Sequence, residues 1–354
     1  MSIADEQRVS ASGATTTQSA SQPDAYSPQV IRKLNDLTSD FYAREAASFS
    51  ATRQAPWHGW EKAWELITAP DAAQGPFPSH AAVRDSLSSR AARVPDDGAG
   101  DSGAPLTILD LGCGNLRFER FLAEHTNAPL RITALDNCPD LASPAIGALS
   151  AAFPHSPSSS SAASKTKGGD ASGQGANLPE KTTVDLRALD IVESLLDGTF
   201  ADRLPRNSCD LAVAFGLMHH LPTFALRARV LEGTLGSLRP GGFAVVSFWQ
   251  FLNDPRLAAK AATVTAEGRA AHCLPTFHEN DFLLGWQHAE GVYRFCHHTP
   301  EDEIDALLAA IREPSAPSTS GRTPPAPLPF REIARFSADG KQENLNRYLI
   351  LQRL

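Results

Sequence analysis

The sequence predicts an open α/β sheet, and three observations carry that prediction. Five short apolar runs, "LTILDL", "LRITALD", "VDLRALD", "CDLAVAFG" and "GFAVVSFW", recur with helix-length segments between them, the alternation of parallel strands joined by right-handed crossovers. The first run leads straight into a turn holding Gly112 and Gly114, followed by a helical pattern. The chain has 354 residues, 42% of them hydrophobic and 20% charged, which is enough to bury a core of this kind.

In chain order, residues 1–27 are rich in Ser, Thr, Ala and Gln without apolar periodicity and read as a disordered leader. Residues 28–70 read as a helical cap. Val30, Leu34, Leu37 and Phe41 fall at three- and four-residue spacing, a second helix carries Trp60, Trp64 and Leu66, and Pro56 breaks the chain between the two. Residues 71–104, with "PDAAQGPFPSH" and "VPDDGAGDSGAP", form a flexible linker, and 105–354 the main domain. Low-complexity insertions at about 152–182 and 312–329 interrupt that domain as surface loops. After the fourth run a helix ends in "LRPGG", a helix-stop turn leading into the fifth strand. The closing "FREIARFSADGKQENLNRYLILQRL" predicts an antiparallel hairpin at the sheet edge.

Composition excludes several functions. A net charge of −8 argues against holding long nucleic acid by bulk electrostatics, although a local basic patch remains allowed. The five cysteines show no close ligand spacing, so neither a metal knot nor a disulfide framework is expected. No apolar run approaches a bilayer span and the N-terminus has no signal-peptide core. A cytoplasmic protein without membrane attachment is the expectation.

In sheets of this class ligands bind beyond the carboxyl ends of the strands. Asp110 ends the first strand, and Gly112 and Gly114 let the backbone approach a ligand. A dinucleotide fingerprint needs glycine where Arg117 stands, which disfavours a pyrophosphate cradle. S-adenosylmethionine carries no phosphate. Its amino-acid end asks for a carboxylate, Asp110, and for backbone donors, which the glycine turn with Cys113 and Asn115 would supply. Asp136, followed by Asn137, ends the second strand and can accept two ribose hydroxyls, or is a surface aspartate opening a turn. Asp190 can accept from an adenine amine with Ile191 on the ring, or caps the helix that follows. Phe215 and Gly216 follow strand four. Of the next pair, His219 and His220, one is placed to face the reacting groups, and His219 is carried forward as that one. Adjacent histidines diverge on a helix, so no shared metal is expected.

Taken together, "DLGCGN", the acidic Asp136, "LD" at Asp190, "HHL" and "LRPGG" resemble the class I S-adenosylmethionine-dependent methyltransferases over residues 106–249. Leu116 departs from the pattern, since many relatives carry a third glycine there. The resemblance implies a Rossmann-like, seven-stranded sheet with an N-terminal helical cap. The flanks narrow it: "TR..PW" at Thr52, Arg53, Pro56 and Trp57, and "VYRFCHHTPEDEIDALL" with Arg294, Phe295, His297 and Glu303, are similar to the methyltransferases that esterify a 5-carboxymethyl group on the tRNA wobble uridine, including the domain of an AlkB homologue. That family implies a tRNA substrate and leaves room for a small activating protein partner. A carboxylate acceptor is already ionised at neutral pH and needs orienting cations rather than a general base. Arg53 comes first for that role, by a two-bond grip, then Arg294 and His297, with Trp57 or Tyr293 stacking on a base. Arg53 could instead pair with Glu45. Two rival readings stand beside this one: a small-molecule O- or N-methyltransferase, and a binding protein that keeps the fold without turnover.

Overall fold

A computed structural model of the chain describes residues 26–68, 105–126, 128–142, 182–287, 289–313 and 328–354. The linker, nearly all of both insertions and residues 1–25 of the leader lie outside them. Tyr26 and Ser27, taken with the leader above, are placed: Tyr26 is buried and Ser27 caps the first helix, its Oγ accepting from Val30 N.

The cap opens with α1 (Pro28–Ala51), where proline sits at the helix start, the position that tolerates a missing N–H. Leu34 and Phe41 are fully buried, and α1 lies against the strand Arg294–His297. α2 (His58–Thr68) buries Trp60, Ala63, Trp64 and Ile67. Leu66, expected inward, is only partly covered because Ile67 takes the core-facing position.

The sheet has seven strands in the order β3-β2-β1-β4-β5-β9-β8. β1 (Leu106–Leu111), β2 (Leu130–Asp136), β3 (Thr183–Ala188), β4 (Cys209–Ala214) and β5 (Leu238–Trp249) pair in parallel. β9 (Asn346–Arg353) runs antiparallel between β5 and β8 (Phe330–Ala338). This is the predicted Rossmann-like sheet with its closing hairpin at one edge. The crossovers are α3 (Arg117–His125) after β1, α4 (Ile191–Leu196) and α5 (Phe200–Arg203) after β3, and α6 (Phe224–Ser237) after β4. Apolar residues fill both faces: Leu109, Leu111 and Ala212 face one layer with α1, α4 and α6, while Ile108, Leu211 and Val213 face Trp60 and Phe121 in the other. The order reverses between β1 and β4, the switch point where such sheets open a crevice.

Two features differ from the sequence reading. "LRPGG" is not a separate turn: β5 already begins at Leu238, and a register shift against β4 between Cys209 and Leu211, with Gly241 at φ 84°, absorbs the proline and glycines within the strand. An arm also follows β5. It comprises α7 (Pro255–Ala271) and a separate two-stranded ribbon of β6 (Asp281–Leu284) and β7 (Arg294–His297), with α7 packed on β6; α8 (Glu301–Arg312) follows and packs on α6. α7 buries only Ala261 and Gly268, so its sequence gives little periodic signal.

Candidate functional site

A cavity of about 890 Å³ lies at the carboxyl ends of β1, β2 and β4, roofed by α1, the α1–α2 connection and the arm. Every predicted cofactor residue lines it: Asp110, Gly112, Cys113, Gly114, Asn115, Asp136, Asn137, Asp190, Ile191, Phe215 and Gly216.

The glycine turn is left-handed at Gly112 (φ 76°), Gly114 (φ 54°) and Leu116 (φ 56°). A Cβ on Gly114 would meet nothing within 4 Å, so glycine there keeps the cavity open. The turn does not supply the donors expected of it at residues 112–114. The amides of Gly112 and Cys113 both donate to Leu135 O, at 2.8 and 3.2 Å, and that of Gly114 to Asp136 Oδ2 at 2.8 Å. The cause is topological: β1 and β2 are adjacent parallel strands, so the turn leaving β1 bonds to the end of β2 before it meets a ligand.

Asp136 also accepts from Cys138 N at 2.8 Å, so it is an anchored carboxylate rather than a surface one. Burial pushes its pKa up, against the pull of the Cys138, Gly114 and Asn137 amides. Asp190 does what the alternative reading described, capping α4 by accepting from Glu193 N at 2.9 Å, and its other oxygen accepts from Asn35 of α1 at 2.7 Å. It lines the cavity at the same time. Asp110 is 2% exposed, and no donor reaches its Oδ1. Burial, and then the Glu119 carboxyl, hold its pKa well up.

At the acceptor candidates the structure separates residues the sequence had grouped. Arg53 and Arg294 both line the cavity. The Arg53 guanidinium lies 3.9 Å from the Phe49 ring centroid and 4.9 Å from that of Trp286; Arg294 lies 4.5 Å from Phe41 and 5.8 Å from both Phe49 and Trp286. Among the described residues no carboxylate pairs with either, so the ion pair of Arg53 with Glu45 is not formed. Arg294 is 5% exposed, with Nε and Nη1 lacking acceptors. Burial, reinforced by Arg294, draws the Arg53 pKa down to about 10.

His297 is elsewhere. Its Nδ1 faces Asp281 Oδ1 at 2.6 Å and its Nε2 faces Glu303 Oε2 at 2.7 Å, beneath the ribbon and away from the cavity lining. A strand alternates sides, so Arg294 reaching the cavity does not carry His297 there. Tyr293, the stacking alternative, packs on His272 instead. Trp57 lines the cavity, beside Gly216.

His219 and His220 both line the cavity, their ring centroids 4.0 Å apart. The expected divergence does not keep them apart, although they sit on a single 3-10 turn, Met218–His220, whose neighbouring side chains point about 120° apart. Their donor atoms and Cys296 Sγ come within 4.8 Å of one another. His220 is already committed on both sides, Nδ1 donating to Phe295 O at 2.7 Å and Nε2 accepting from Tyr42 OH at 2.9 Å. Burial, then the nearby Arg294, pushes its pKa down to about 3, and burial holds His219 well down also. A guanidinium at this distance opposes a metal cation as it opposes imidazolium.

Sequence reading missed Arg117, Tyr42, Trp249 and Trp286, all of which line the cavity. Arg117 lines the cavity with its guanidinium about equally placed over Trp57 and Trp60, at 5.0 and 4.9 Å. Its only signal was that it stands where a dinucleotide motif has glycine. The two tryptophans belong to β5's end and the arm, where no motif marks them.

No protein-family model matches the chain, and no curated protein does. Solved structures resemble it at the level of the chain trace. One is a SAM-dependent methyltransferase from Methanosarcina mazei, at a TM-score of 0.42 and 16% identity over 70% of this chain and 92% of that one. A second is a protein from Pyrococcus horikoshii, at 0.42 and 10% over 84% and 100%. A third is the 1,6-didemethyltoxoflavin N1-methyltransferase of Burkholderia thailandensis, with 1,6-didemethyltoxoflavin and S-adenosylhomocysteine bound, at 0.38 and 15% over 89% and 88%. The strand order and the site geometry of this chain carry the functional reasoning. No helix among the described residues is long and apolar enough to cross a membrane.

Proposed function

We propose that this chain is an S-adenosylmethionine-dependent methyltransferase whose acceptor presents a carboxylate, with the 5-carboxymethyl group of a tRNA wobble uridine as the specific candidate. The observation that carries the proposal is the coexistence, in one cavity, of Asp110, whose Oδ1 has no donor among the described residues, and of Arg53 and Arg294, with which no carboxylate pairs among those residues. The cofactor fits these residues. Asp110 is a buried acceptor for its ammonium, Asp136 for ribose hydroxyls and Asp190 for the adenine amine, and the open side of Gly114 leaves room beside them. When bound, S-adenosylmethionine supplies an electrophilic methyl group on a sulfonium.

The residues of the chain then position and exclude. Two guanidiniums in a low-dielectric crevice repel a cationic acceptor and favour an anionic one, and together they can fix both carboxylate oxygens. Phe41, Phe49 and Trp286 stack on these guanidiniums and hold them without neutralising their charge. Since the acceptor is already ionised, alignment in a water-poor cavity supplies the rate. Burial holds the His219 pKa well down, so this residue adds no further positive charge to the cavity.

A small-molecule carboxylate acceptor is the second reading, favoured by the aromatic walls at Trp57, Trp249 and Trp286 and by the net charge of −8. Transfer of labelled methyl to total tRNA and to a small-metabolite fraction separates the two. In either case Arg53→Met and Arg294→Met should each lower kcat/KM by ~10- to 100-fold, the worth of a charged hydrogen bond, while Asp110→Asn loses the cofactor. Unchanged transfer in both arginine variants removes the carboxylate assignment and leaves the methyltransferase reading standing.

A further inference from the structure

Glu119, on α3, lies outside every functional assignment made above, and its surroundings are unusual. It is 1% exposed, and neither carboxyl oxygen has a donor partner. Its carboxyl meets that of Asp110, whose Oδ1 likewise lacks a donor. Two carboxylates in contact in a buried setting cannot both be ionised, and a proton held between them is the hydrogen bond that both require.

The other titratable groups facing the pair are Asp136 from the end of β2, Cys113 from the glycine turn and Arg120 from α3. Asp136 is already held by two backbone amides, and Arg120 reaches toward Gln54 of the cap at 3.5 Å. No fixed cation therefore sits between Asp110 and Glu119 among the described residues.

We propose that Glu119 is a positioning residue of the cofactor site: it shares one proton with Asp110, and when the ammonium of the cofactor's amino-acid end arrives Glu119 takes that proton and returns it as a hydrogen bond, leaving Asp110 ionised and oriented. The inference rests on the cofactor reading above. Two states compete. With one proton, the pair carries the negative charge that an ammonium needs. With two, the pair is neutral, and the ligand can bind only by expelling one. Burial pushes Glu119 up to about 7 and raises Asp110 as well, so the two states exchange near neutrality. On acidification below that point, affinity for an ammonium-bearing ligand falls and binding releases a proton to solvent. The chemistry is a proton transfer alone: the O–H bond of one carboxyl breaks, and the proton passes to buffer.

The test is calorimetric titration of the full chain with S-adenosylhomocysteine, which has the ammonium but no sulfonium, between pH 5.5 and 7.5 in buffers of different ionisation enthalpy. The wild-type chain should lose affinity by up to about tenfold per pH unit below 7 and release close to one proton per ligand at pH 6. Glu119→Gln keeps a donor to Asp110 without a titrating proton. It should bind within about threefold of wild type at pH 7.5, with affinity flat across the range and no proton release. Flat wild-type affinity with no proton release overturns the role of Glu119 while leaving the cofactor reading intact. An unaltered pH dependence in Glu119→Gln, with circular dichroism showing it folded, does the same and assigns the proton to Asp136. Absence of binding at every pH overturns the cofactor reading and this inference with it.

Discussion

At the residue scale, Leu116 shows how a motif can depart from its pattern and still form its turn. The position takes φ 56° where glycine would be unstrained, and the leucine is fully buried. A left-handed leucine costs ~1–2 kcal/mol, whereas deleting a buried leucine side chain costs ~2–5 kcal/mol. Burial wins. Leu116→Gly is therefore expected to destabilise the chain by ~1–3 kcal/mol in urea unfolding despite restoring the more common residue, and a stabilised variant would show that backbone strain dominates. The same contest explains what could be read at single positions. Asp110, Asp136 and Asp190 were legible because each lies at or just beyond the carboxyl end of an apolar run, and chain direction fixes where strand ends go. The partners of the glycine-turn amides were not, since they depend on which strand lies next to β1. Glu119 was hidden because an acidic residue on a helix ordinarily faces water, and only packing reveals that this one does not.

At the scale of elements, the parallel strands were legible from apolar runs, and the closing hairpin from its Ala-Asp-Gly turn. The arm was not: the ribbon strands span only Asp281–Leu284 and Arg294–His297, too short to show a period, and α7 presents a mixed surface. What fixes the arm is a buried polar chain rather than an apolar pattern. Tyr26 OH donates to Asp281 Oδ2 at 2.8 Å, His297 bridges Asp281 and Glu303, and Arg227 Nε donates to Glu303 Oε1 at 2.7 Å and its Nη1 to Leu221 O at 2.6 Å. Through it α1, the ribbon, α8 and α6 converge below the cavity. β7 then presents Arg294 to the cavity and the Phe295 carbonyl to His220. His297→Leu leaves one oxygen of Asp281 and one of Glu303 without a partner and should cost ~3–5 kcal/mol, expressed first as opening of the ribbon. Amide hydrogen exchange at residues 294–297 should quicken at least tenfold, with β1 and β4 protected as before. Equal acceleration throughout would mean that the arm unfolds only with the sheet.

For the whole molecule, the cavity is a place where both signs of charge are taken out of water, and this sets the response to pH. His220 and His298 are drawn down to about 3 and about 4 by burial, from an ordinary 6.5, and His219 is drawn down too. Each is neutral in the folded chain and charged in the unfolded one below pH 6.5. The stability they contribute is therefore complete above 6.5 and is lost as pH falls toward their folded values. Glu119, raised to about 7 from 4.5, and Asp110, also raised, work in the opposite sense. The folded chain holds their protons after the unfolded chain has released them, so their contribution is complete below about 4.5 and is lost as pH rises through the folded values. Between pH 5 and 6.5 the two sets oppose, and the stability of the wild-type chain should vary little. Single substitutions unbalance it in opposite directions. Glu119→Gln removes a falling contribution, so stability should rise with pH more steeply than wild type by about 1.4 kcal/mol per pH unit. His220→Gln removes a rising one and should tilt the profile the other way by a similar amount. Urea unfolding at half-unit steps from pH 5 to 6.5 measures both slopes, and parallel profiles for the three proteins would show that neither group changes its protonation on folding.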